Sequence, residues 1–210
     1  MITNISLHSF MKIFLATKNP GKISEFEQIL SGLNVDLITC NDMDIPDVEE
    51  TGSTFVENAI LKARSAAETT KLPSIADDSG IEVDYLRGRP GVWSARYAGN
   101  DATNEENNSK LLSELEGVQY NKRGACYRCV IVFMRFCNDP FPFIAQDSWR
   151  GVINTDEKGS NGFGYDPIFY LPELKKTSAE LSSNDKHKIS HRGKALKKFN
   201  DFFQSYVQSN

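Results

Sequence analysis

The segment Thr17-Lys18-Asn19-Pro20-Gly21-Lys22 has the residue types of a loop that binds phosphate. It follows a short apolar run and precedes apolar residues at helical spacing, so it should lead into the N-terminus of a helix. Unpaired N–H groups and the positive end of the helix dipole favour anions there. Lys18 and Lys22 would add positive charge, and Thr17 and Asn19 would add neutral donors.

This segment does not match the Walker A pattern. Ala16 stands where that pattern needs a glycine before Gly21, and Ile23 stands where it needs Ser or Thr. An ordinary Asn-Pro-Gly turn is therefore the alternative to a phosphate loop.

Acidic residues form two further candidate groups. Five acids occur within nine residues that contain no basic residue: Asp42, Asp44, Asp47, Glu49 and Glu50. Asp77-Asp78-Ser79-Gly80 follows an apolar strand pattern. Mg²⁺ takes one or two carboxylates together with phosphate oxygens and water, and a carboxylate beside it can deprotonate water. A solvated loop explains the first group equally well, whereas adjacent acids such as Asp77 and Asp78 repel each other unless something neutralises them.

The third candidate group is basic and lies near the C-terminal end. Residues 175–198 hold eight Lys or Arg against two acids. The polar face of the last helix accounts for such a run, but Lys186, His191 and Arg192 at the helix entrance can also meet an anionic or carbonyl-bearing ligand. Phe163, flanked by glycines just upstream, can supply a stacking face for a base. A phosphate loop, carboxylates for Mg²⁺ and an aromatic residue with basic donors together describe a nucleotide site. They do not say which bond is cut.

The elements that must position these residues follow from hydrophobic periodicity. Strand patterns occur at 13–16, 35–39, 74–76, 125–136, 141–150 and 168–170, and helix patterns occur after residue 22, at 55–71, at 104–115 and at the C-terminal end. Thr54 to Glu57 is a capping box, and Gly32 should end the first helix. The pattern predicts a mixed α/β domain in which loops distant in sequence converge on a site.

Composition limits the kind of partner. The chain has 210 residues, a net charge of −4 and 40% hydrophobic residues, which is enough to bury a core in one domain or in two lobes around a cleft. Its mild acidity argues against stable binding of nucleic acid, which needs an excess of Lys and Arg. A small phosphorylated ligand needs only a local basic pocket and stays possible.

The four cysteines are expected to be free thiols. Cys126 and Cys129 form a CxxC, which suggests a redox pair or half of a zinc site, but no second CxxC follows. The pair lies in a strand pattern, where residues three apart point to opposite faces. Four free cysteines are typical of a reducing compartment.

No segment is expected to cross or enter a membrane. Residues 1–10 lack a basic start and a continuous apolar core, so they are expected to be a flexible extension, or the result of a misassigned start, before a single domain at 11–210. No apolar run approaches the roughly 20 residues that a bilayer requires. A cytoplasmic location is therefore expected.

The same segments carry a family signature that spreads over residues 13–193. The sequence resembles the inosine/xanthosine triphosphate pyrophosphatase family, enzymes that hydrolyse aberrant purine nucleoside triphosphates. Six blocks match in order: Leu15-Ala16-Thr17-Lys18-Asn19-Pro20-Gly21-Lys22; Glu49-Glu50-Thr51-Gly52 with Thr54-Phe55-Val56-Glu57-Asn58-Ala59; Ala76-Asp77-Asp78-Ser79-Gly80; Pro90-Gly91-Val92-Trp93-Ser94-Ala95-Arg96-Tyr97; Gly162-Phe163-Gly164-Tyr165-Asp166-Pro167; and Ser190-His191-Arg192-Gly193. Lys18 departs from the short residue that many members have at its position.

The resemblance implies a fold and a set of site residues. The family fold is an elongated mixed β-sheet flanked by helices, with two lobes, a central cleft and a homodimer as the usual assembly. Asp78 matches the proposed general base, and Glu49 and Asp78 match the Mg²⁺ ligands. The positions that match substrate-binding residues are Thr17, Lys18, Asn19, Pro20, Gly21, Lys22, Ser79, Phe163, Gly164, Tyr165, Asp166, Lys186, His191 and Arg192.

The implied reaction is attack of water on the α-phosphorus of ITP, dITP or XTP, which releases the nucleoside monophosphate and pyrophosphate. Hypoxanthine and xanthine present a 6-oxo acceptor where adenine presents a donor, so His191 and Arg192 would favour the first two. Three alternatives stay open: a pyrimidine-directed pyrophosphatase, a nucleotide sensor without turnover, and a nucleic-acid-binding module that uses the basic C-terminal face.

Overall fold

A seven-stranded mixed β-sheet runs through residues 10–209, the part of the chain that this computed structural model describes. The strands are β1 (Met11–Leu15), β2 (Val35–Thr39), β3 (Ser74–Val83), β4 (Gly124–Met134), β5 (Phe143–Ile153), β6 (Phe169–Leu171) and β7 (Lys176–Thr177). Their order across the sheet is β2-β1-β3-β4-β5-β6-β7. β1 pairs in parallel with β2 and β3, and every later pair is antiparallel. The predicted α/β class and the mixed sheet are confirmed.

Five α-helices accompany the sheet. They are α1 (Pro20–Leu30), α2 (Phe55–Thr70), α3 (Asn104–Glu114), α4 (Ser183–Ile189) and α5 (His191–Ser209). Short 3₁₀ turns cover Gly91–Arg96, Tyr120–Lys122 and Ser178–Glu180. The predicted capping box at Thr54 is present, and Gly32 follows α1 with a φ of 85°, a conformation that glycine adopts without strain.

Hydrophobic side chains form separate clusters toward the two ends of the sheet. One cluster joins β1 and the first part of β3 to α5 through Ile13, Ile75 and Phe199. The other joins the far end of β3 to β5 and β6 through Ile81, Trp149 and Phe169. These two of the hydrophobic clusters lie toward opposite ends of the sheet, which fits the predicted arrangement of two lobes around a central cleft.

The two faces of β3 pack against different helices. Ile75 belongs to the cluster that contains α5 residues, whereas its neighbour Ala76 packs with Ala59 and Ala63 of α2. Side chains alternate along a strand, so odd-numbered residues here face α5 and even-numbered residues face α2. The small alanines let α2 lie close to the sheet, which brings a larger residue on the same face of α2 near β3.

The strand pattern at 74–76 continues further than predicted. Asp77, Asp78, Ser79 and Gly80 lie within β3, paired with Ile131, Val130, Cys129 and Arg128 of β4, and not in a loop at the end of a strand. Apolar periodicity fails there because the site replaces core residues with acids. The predicted 125–136 and 141–150 hairpin is present as β4 and β5, with shifted bounds. The short elements β7 and α4 had no clear periodic pattern.

Of the expected extension at 1–10, residues 1–9 lie outside the described residues. None of the described helices is long and apolar enough to cross a membrane. The four cysteines are free, as predicted, and Cys126 and Cys129 are both buried in β4.

Candidate functional site

A cavity of about 800 Å³ lies in the cleft between the two lobes. The start of α1, the glycine-rich loop at 159–167 and the α4–α5 corner supply most of its wall. Eleven of the substrate-binding positions predicted from the sequence line it: Asn19, Gly21, Lys22, Ser79, Phe163, Gly164, Tyr165, Asp166, Lys186, His191 and Arg192. Three segments far apart in sequence therefore converge on one cavity, whereas Asp78 and Glu49, the predicted catalytic and metal-binding residues, are not part of its lining.

One end of the cavity is the N-terminus of α1. The Asn19 side-chain oxygen accepts hydrogen bonds from the backbone N–H of Gly21 at 2.9 Å and of Lys22 at 3.2 Å. Asn19 is thus the helix cap, a role that the sequence prediction of a simple donor had missed. Thr17 supports the turn by accepting a hydrogen bond from the Asn19 backbone at 3.3 Å. The positive helix end and the Lys22 ammonium suit this end of the cavity to an anion.

Lys18 does not line the cavity. Its ammonium lies 2.7 Å from Asp47, and both side chains are exposed. Exposed pairs of this kind contribute little to stability because solvent screens them. The contact ties the phosphate loop to the acidic segment at 42–50 and leaves Lys22 as the loop lysine that faces the cavity.

Asp77 is fully buried under this end of the cavity. The same carboxylate oxygen, Oδ2, lies 2.8 Å from Lys22 Nζ and 2.8 Å from an Arg192 guanidinium nitrogen. Burial alone would raise the pKa of Asp77, but Lys22 and Arg192 hold that pKa well below its usual range. Asp77 is therefore a permanent negative charge beneath two cations.

Asp78 points to the opposite face of β3 and meets α2. Lys62 Nζ lies 3.2 Å from Asp78 and 2.7 Å from Glu50. Arg96 donates a second charged hydrogen bond to Glu50 at 3.0 Å. Burial raises the pKa of Asp78, and the attraction of Lys62 offsets that rise only in part. A raised pKa makes the Asp78 carboxylate a better proton acceptor.

The sequence prediction had missed Lys62 and Tyr127. Lys62 follows Asn58 by one helical turn, and both Asn58 and Ala59 are buried. A lysine on the buried face of an Ala-rich helix is a signal that periodicity could have supplied. Tyr127 lines the cavity from β4, and no sequence feature distinguishes it from a core tyrosine.

The predicted metal ligands differ in their positions. Glu49 is exposed, while its neighbour Glu50 is directed toward Asp78. Among residues 10–209, no group of three or more His, Cys, Asp or Glu side chains is arranged to hold a metal. Asp78 Oδ2 is buried without a hydrogen-bond partner in the described chain. One orphaned carboxylate oxygen beside a second carboxylate fits Mg²⁺, which takes few protein ligands when phosphates complete its shell.

The other end of the cavity carries the aromatic and basic residues. Phe163 is 53% exposed, and Lys186 Nζ lies 5.3 Å from its ring centroid. Asp166 pairs with Lys186 and accepts the Phe163 backbone N–H at 2.8 Å, so one carboxylate fixes both. The Asn108 side chain donates to the Gly164 carbonyl at 3.2 Å and ties the loop to α3. An exposed, positioned ring beside a cation suits a planar base.

His191 forms the inner wall at this end. Its ring stacks on Tyr127 with centroids 4.6 Å apart and planes 4° from parallel. Burial and then the nearby charge of Arg192 hold the pKa of His191 well below its ordinary value, so the ring is neutral at pH 7. Its Nδ1 has no hydrogen-bond partner within the described residues. A buried ring nitrogen without a partner, on a residue that lines the cavity, is suited to a ligand.

Arg192 is held from several sides. It contacts Asp77, Ser79 Oγ at 2.9 Å and, more distantly, Glu25 at 3.5 Å. Ser79 lies on the same face of β3 as Asp77, which explains why one guanidinium reaches both. The predicted Ser79 therefore positions Arg192 at the cavity wall.

The fold and the site define an α/β protein with a cavity of about 800 Å³ between a positively charged helix end and a group of aromatic and basic residues. The chain belongs to the Ham1 family, whose model matches residues 13–202. It is 54% identical over 186 residues to the dITP/XTP pyrophosphatase of Yersinia pseudotuberculosis, covering 89% of this chain and 94% of the relative. Identity to the dITP/XTP pyrophosphatase of Escherichia coli K12 is 50% over 186 residues, with the same coverage.

Solved structures agree with this assignment. A HAM1 protein from Coxiella burnetii is 46% identical, has a TM-score of 0.89 and covers 93% of this chain and 99% of its own. The Staphylococcus aureus Ham1 protein is 43% identical with a TM-score of 0.85, at the same coverage. The family resemblance and the fold predicted from it are confirmed.

Proposed function

We propose that this protein hydrolyses the aberrant purine nucleoside triphosphates ITP, dITP and XTP to the nucleoside monophosphate and pyrophosphate. One observation carries the proposal: a single cavity has Lys22 and a helix N-terminus at one end and Phe163, Lys186 and His191 at the other. The relatives named above as dITP/XTP pyrophosphatases support the same activity. Removal of such nucleotides would cleanse the nucleotide pool.

Base selection would follow from donors and acceptors at the inner end of the cavity. Hypoxanthine and xanthine offer a 6-oxo acceptor to the Arg192 guanidinium or to the single N–H group of the neutral His191 ring. Adenine would place its amino donor against the same groups and leave buried donors unpaired, which is costly. Phe163 would stack on either base and so supply affinity without selectivity.

Hydrolysis would begin with a water molecule beside Asp78. The Asp78 carboxylate accepts a proton while the water oxygen forms a bond to the α-phosphorus, and the bond from that phosphorus to the bridging oxygen of pyrophosphate breaks. Lys22 and the positive N-terminal end of α1 stabilise the departing pyrophosphate. Lys62 holds Asp78 and Glu50 in place and offsets their mutual repulsion.

Mg²⁺ is part of the proposal. Asp78 would hold it together with Glu49, the ligand implied by resemblance, or with Glu50, the acid that faces Asp78. When bound, the ion supplies positive charge to the phosphate oxygens as they become more negative.

A substrate panel tests this function. Release of pyrophosphate is measured from ITP, dITP, XTP, GTP, ATP and TTP, with and without Mg²⁺. The proposal expects fast release from the first three and dependence on Mg²⁺. Comparable rates on ATP and ITP would contradict the base selection, and preference for TTP would indicate a pyrimidine-directed enzyme. Binding of ITP without release would indicate a sensor.

The nucleic-acid alternative is less favoured by the contacts of the basic segment. Lys194 and Lys198 donate to the Ser148 and Gln146 carbonyls of β5, and Lys198 also pairs with Asp147. These lysines therefore fasten α5 to the sheet. Binding of duplex DNA or RNA that falls steeply with salt would revive this alternative.

A homodimer in the cytoplasm completes the proposal. The resemblance supports the dimer, and large exposed side chains such as Tyr85 and Trp93 are available to an interface. The four free cysteines fit a reducing compartment. Light scattering on a size-exclusion column tests the dimer, because a monomeric mass at micromolar concentration would contradict it.

A further inference from the structure

We infer that Asp77 is a positioning residue that couples the phosphate end of the cavity to its base end. This inference rests on the proposed function, because it assigns those two subsites to the same nucleotide. Asp77 itself is not part of the cavity wall, whereas Lys22, Ser79 and Arg192 are. Any effect of Asp77 on a ligand must therefore pass through its partners.

The geometry at Asp77 is unusual for a simple buried ion pair. Lys22 comes from α1 and Arg192 from α5, and both lie 2.8 Å from the same oxygen, Oδ2. The other oxygen, Oδ1, is buried and has no hydrogen-bond partner among residues 10–209. A buried carboxylate oxygen without a partner costs stability. An arrangement chosen only for stability would place one cation on each oxygen.

Sharing one oxygen makes the two cations interdependent. Lys22 and Arg192 repel each other because both lie 2.8 Å from the same oxygen. This repulsion limits how firmly Asp77 holds either one. A triphosphate bound at the N-terminus of α1 would form an ion pair with the Lys22 ammonium and so reduce the repulsion between Lys22 and Arg192. Arg192 would then be held more firmly against Asp77 and Ser79 in the orientation that meets the base.

The same logic applies in reverse, because coupling between two sites is reciprocal. A base bound at Arg192 would favour the arrangement in which Lys22 is available to phosphate. The intact nucleotide would thereby bind more tightly than the separate affinities of a free base and a free polyphosphate predict.

Binding of the two halves as separate molecules tests this inference. Tripolyphosphate represents the phosphate half and inosine the base half, and calorimetry measures each alone and in the presence of the other. We expect saturating tripolyphosphate to raise the affinity of the native protein for inosine about fivefold or more, within the usual range of such coupling. Because this arm uses the native protein, it does not depend on whether a variant folds.

Asp77→Asn supplies the second arm. It keeps the side-chain shape but removes the charge, and we expect the coupling to fall to less than about twofold. Glu82→Gln is the matched comparison, since it also neutralises a carboxylate of β3, but one that pairs with Arg128 and not with Lys22 or Arg192, so coupling should persist. A merely structural role for Asp77 would lower the melting temperature and leave coupling unchanged.

The outcomes separate this inference from the proposed function. If both ligands bind the native protein independently, the coupling is wrong while the nucleotide site stands. Persistent coupling in Asp77→Asn would likewise overturn the role of Asp77. If neither inosine nor tripolyphosphate binds and ITP also fails to bind, the proposed function itself is wrong.

Discussion

Asp77 and Asp78 are neighbours in β3, yet their carboxylates serve opposite faces of the sheet. Asp77 meets Lys22 and Arg192 on the side of α1 and α5, while Asp78 meets Lys62 on the side of α2. Each acid thus forms ion pairs with its own cations, which offset the repulsion expected of adjacent carboxylates. The pKa shifts differ accordingly: the pKa of Asp78 is raised and that of Asp77 is lowered. Only one of the two is suited to accept a proton.

Asp78→Asn should abolish most hydrolysis and keep the fold. Loss of a general base lowers turnover by roughly 100-fold to 10,000-fold, and the amide preserves the side-chain volume. Pyrophosphate release from ITP measures the effect, with circular dichroism as the check on folding. Glu82→Gln is the matched control, since Glu82 lies on the same face of β3 and pairs with Arg128. Near-normal turnover in Asp78→Asn would rule out its role as base.

Lys22→Ala should raise the KM for ITP more than it lowers kcat. A charged hydrogen bond to phosphate contributes about 1.5–3 kcal/mol, which corresponds to roughly a 10-fold to 150-fold change in affinity. Steady-state kinetics measure the change, with exposed Lys12→Ala as the control. A large fall in kcat at unchanged KM would contradict the binding role.

Lys62→Met should increase the rise in melting temperature that Mg²⁺ causes in the nucleotide-free protein. Removal of the ammonium leaves Glu50 and Asp78 as facing carboxylates with less positive charge to balance them. A divalent cation then binds more tightly and stabilises the fold. Melting temperatures with and without Mg²⁺ measure this, and Lys71→Met, at an exposed position, is the control. An equal Mg²⁺ response in Lys62→Met and the native protein would argue against a cation site at these acids.

His191→Gln should reduce the decrease in the free energy of unfolding that occurs as the pH falls below about 6.5. The folded-state pKa of His191 lies well below its unfolded value, so the unfolded chain takes up the proton first as the pH falls below about 6.5. The native protein should therefore lose up to about 2 kcal/mol more free energy of unfolding than His191→Gln between pH 6.5 and 5. Urea denaturation at each pH measures the difference. Parallel pH curves would show that His191 is not a buried neutral ring.

Gly193→Ala should destabilise the α4–α5 corner severely. An added Cβ would lie 1.6 Å from the His187 carbonyl oxygen, so one of the two helices must move. Overpacking against backbone costs about 3 kcal/mol, and the shift would displace Lys186 and Arg192 as well. Thermal denaturation measures the loss, with exposed Lys197→Ala as the control. A melting temperature within a degree of native would contradict the close approach.

The sequence alone determined the family, the order of most elements and most of the residues that line the cavity. Motifs such as the loop at 17–22 are local: the Asn19 cap and the following helix depend on neighbours in the chain, so their residue types predict their structure. The capping box at Thr54 to Glu57 likewise predicted α2, and two apolar runs joined by turn residues predicted the β4–β5 hairpin, because caps and turns are also local.

Tertiary structure decided which charges meet. Lys62 lies on α2, Asp78 lies in β3 and Glu50 lies in the loop before α2, and no local rule links a lysine on α2 to an acid in β3. Asp77 and Arg192 are 115 residues apart in the chain, and their contact exists because α5 crosses the face of the sheet that Asp77 occupies. Pairing in the sheet also placed Asp77 and Asp78 inside β3 and sent them to opposite faces. Long-range packing, which a linear pattern does not encode directly, thus assigned the two acids their different roles.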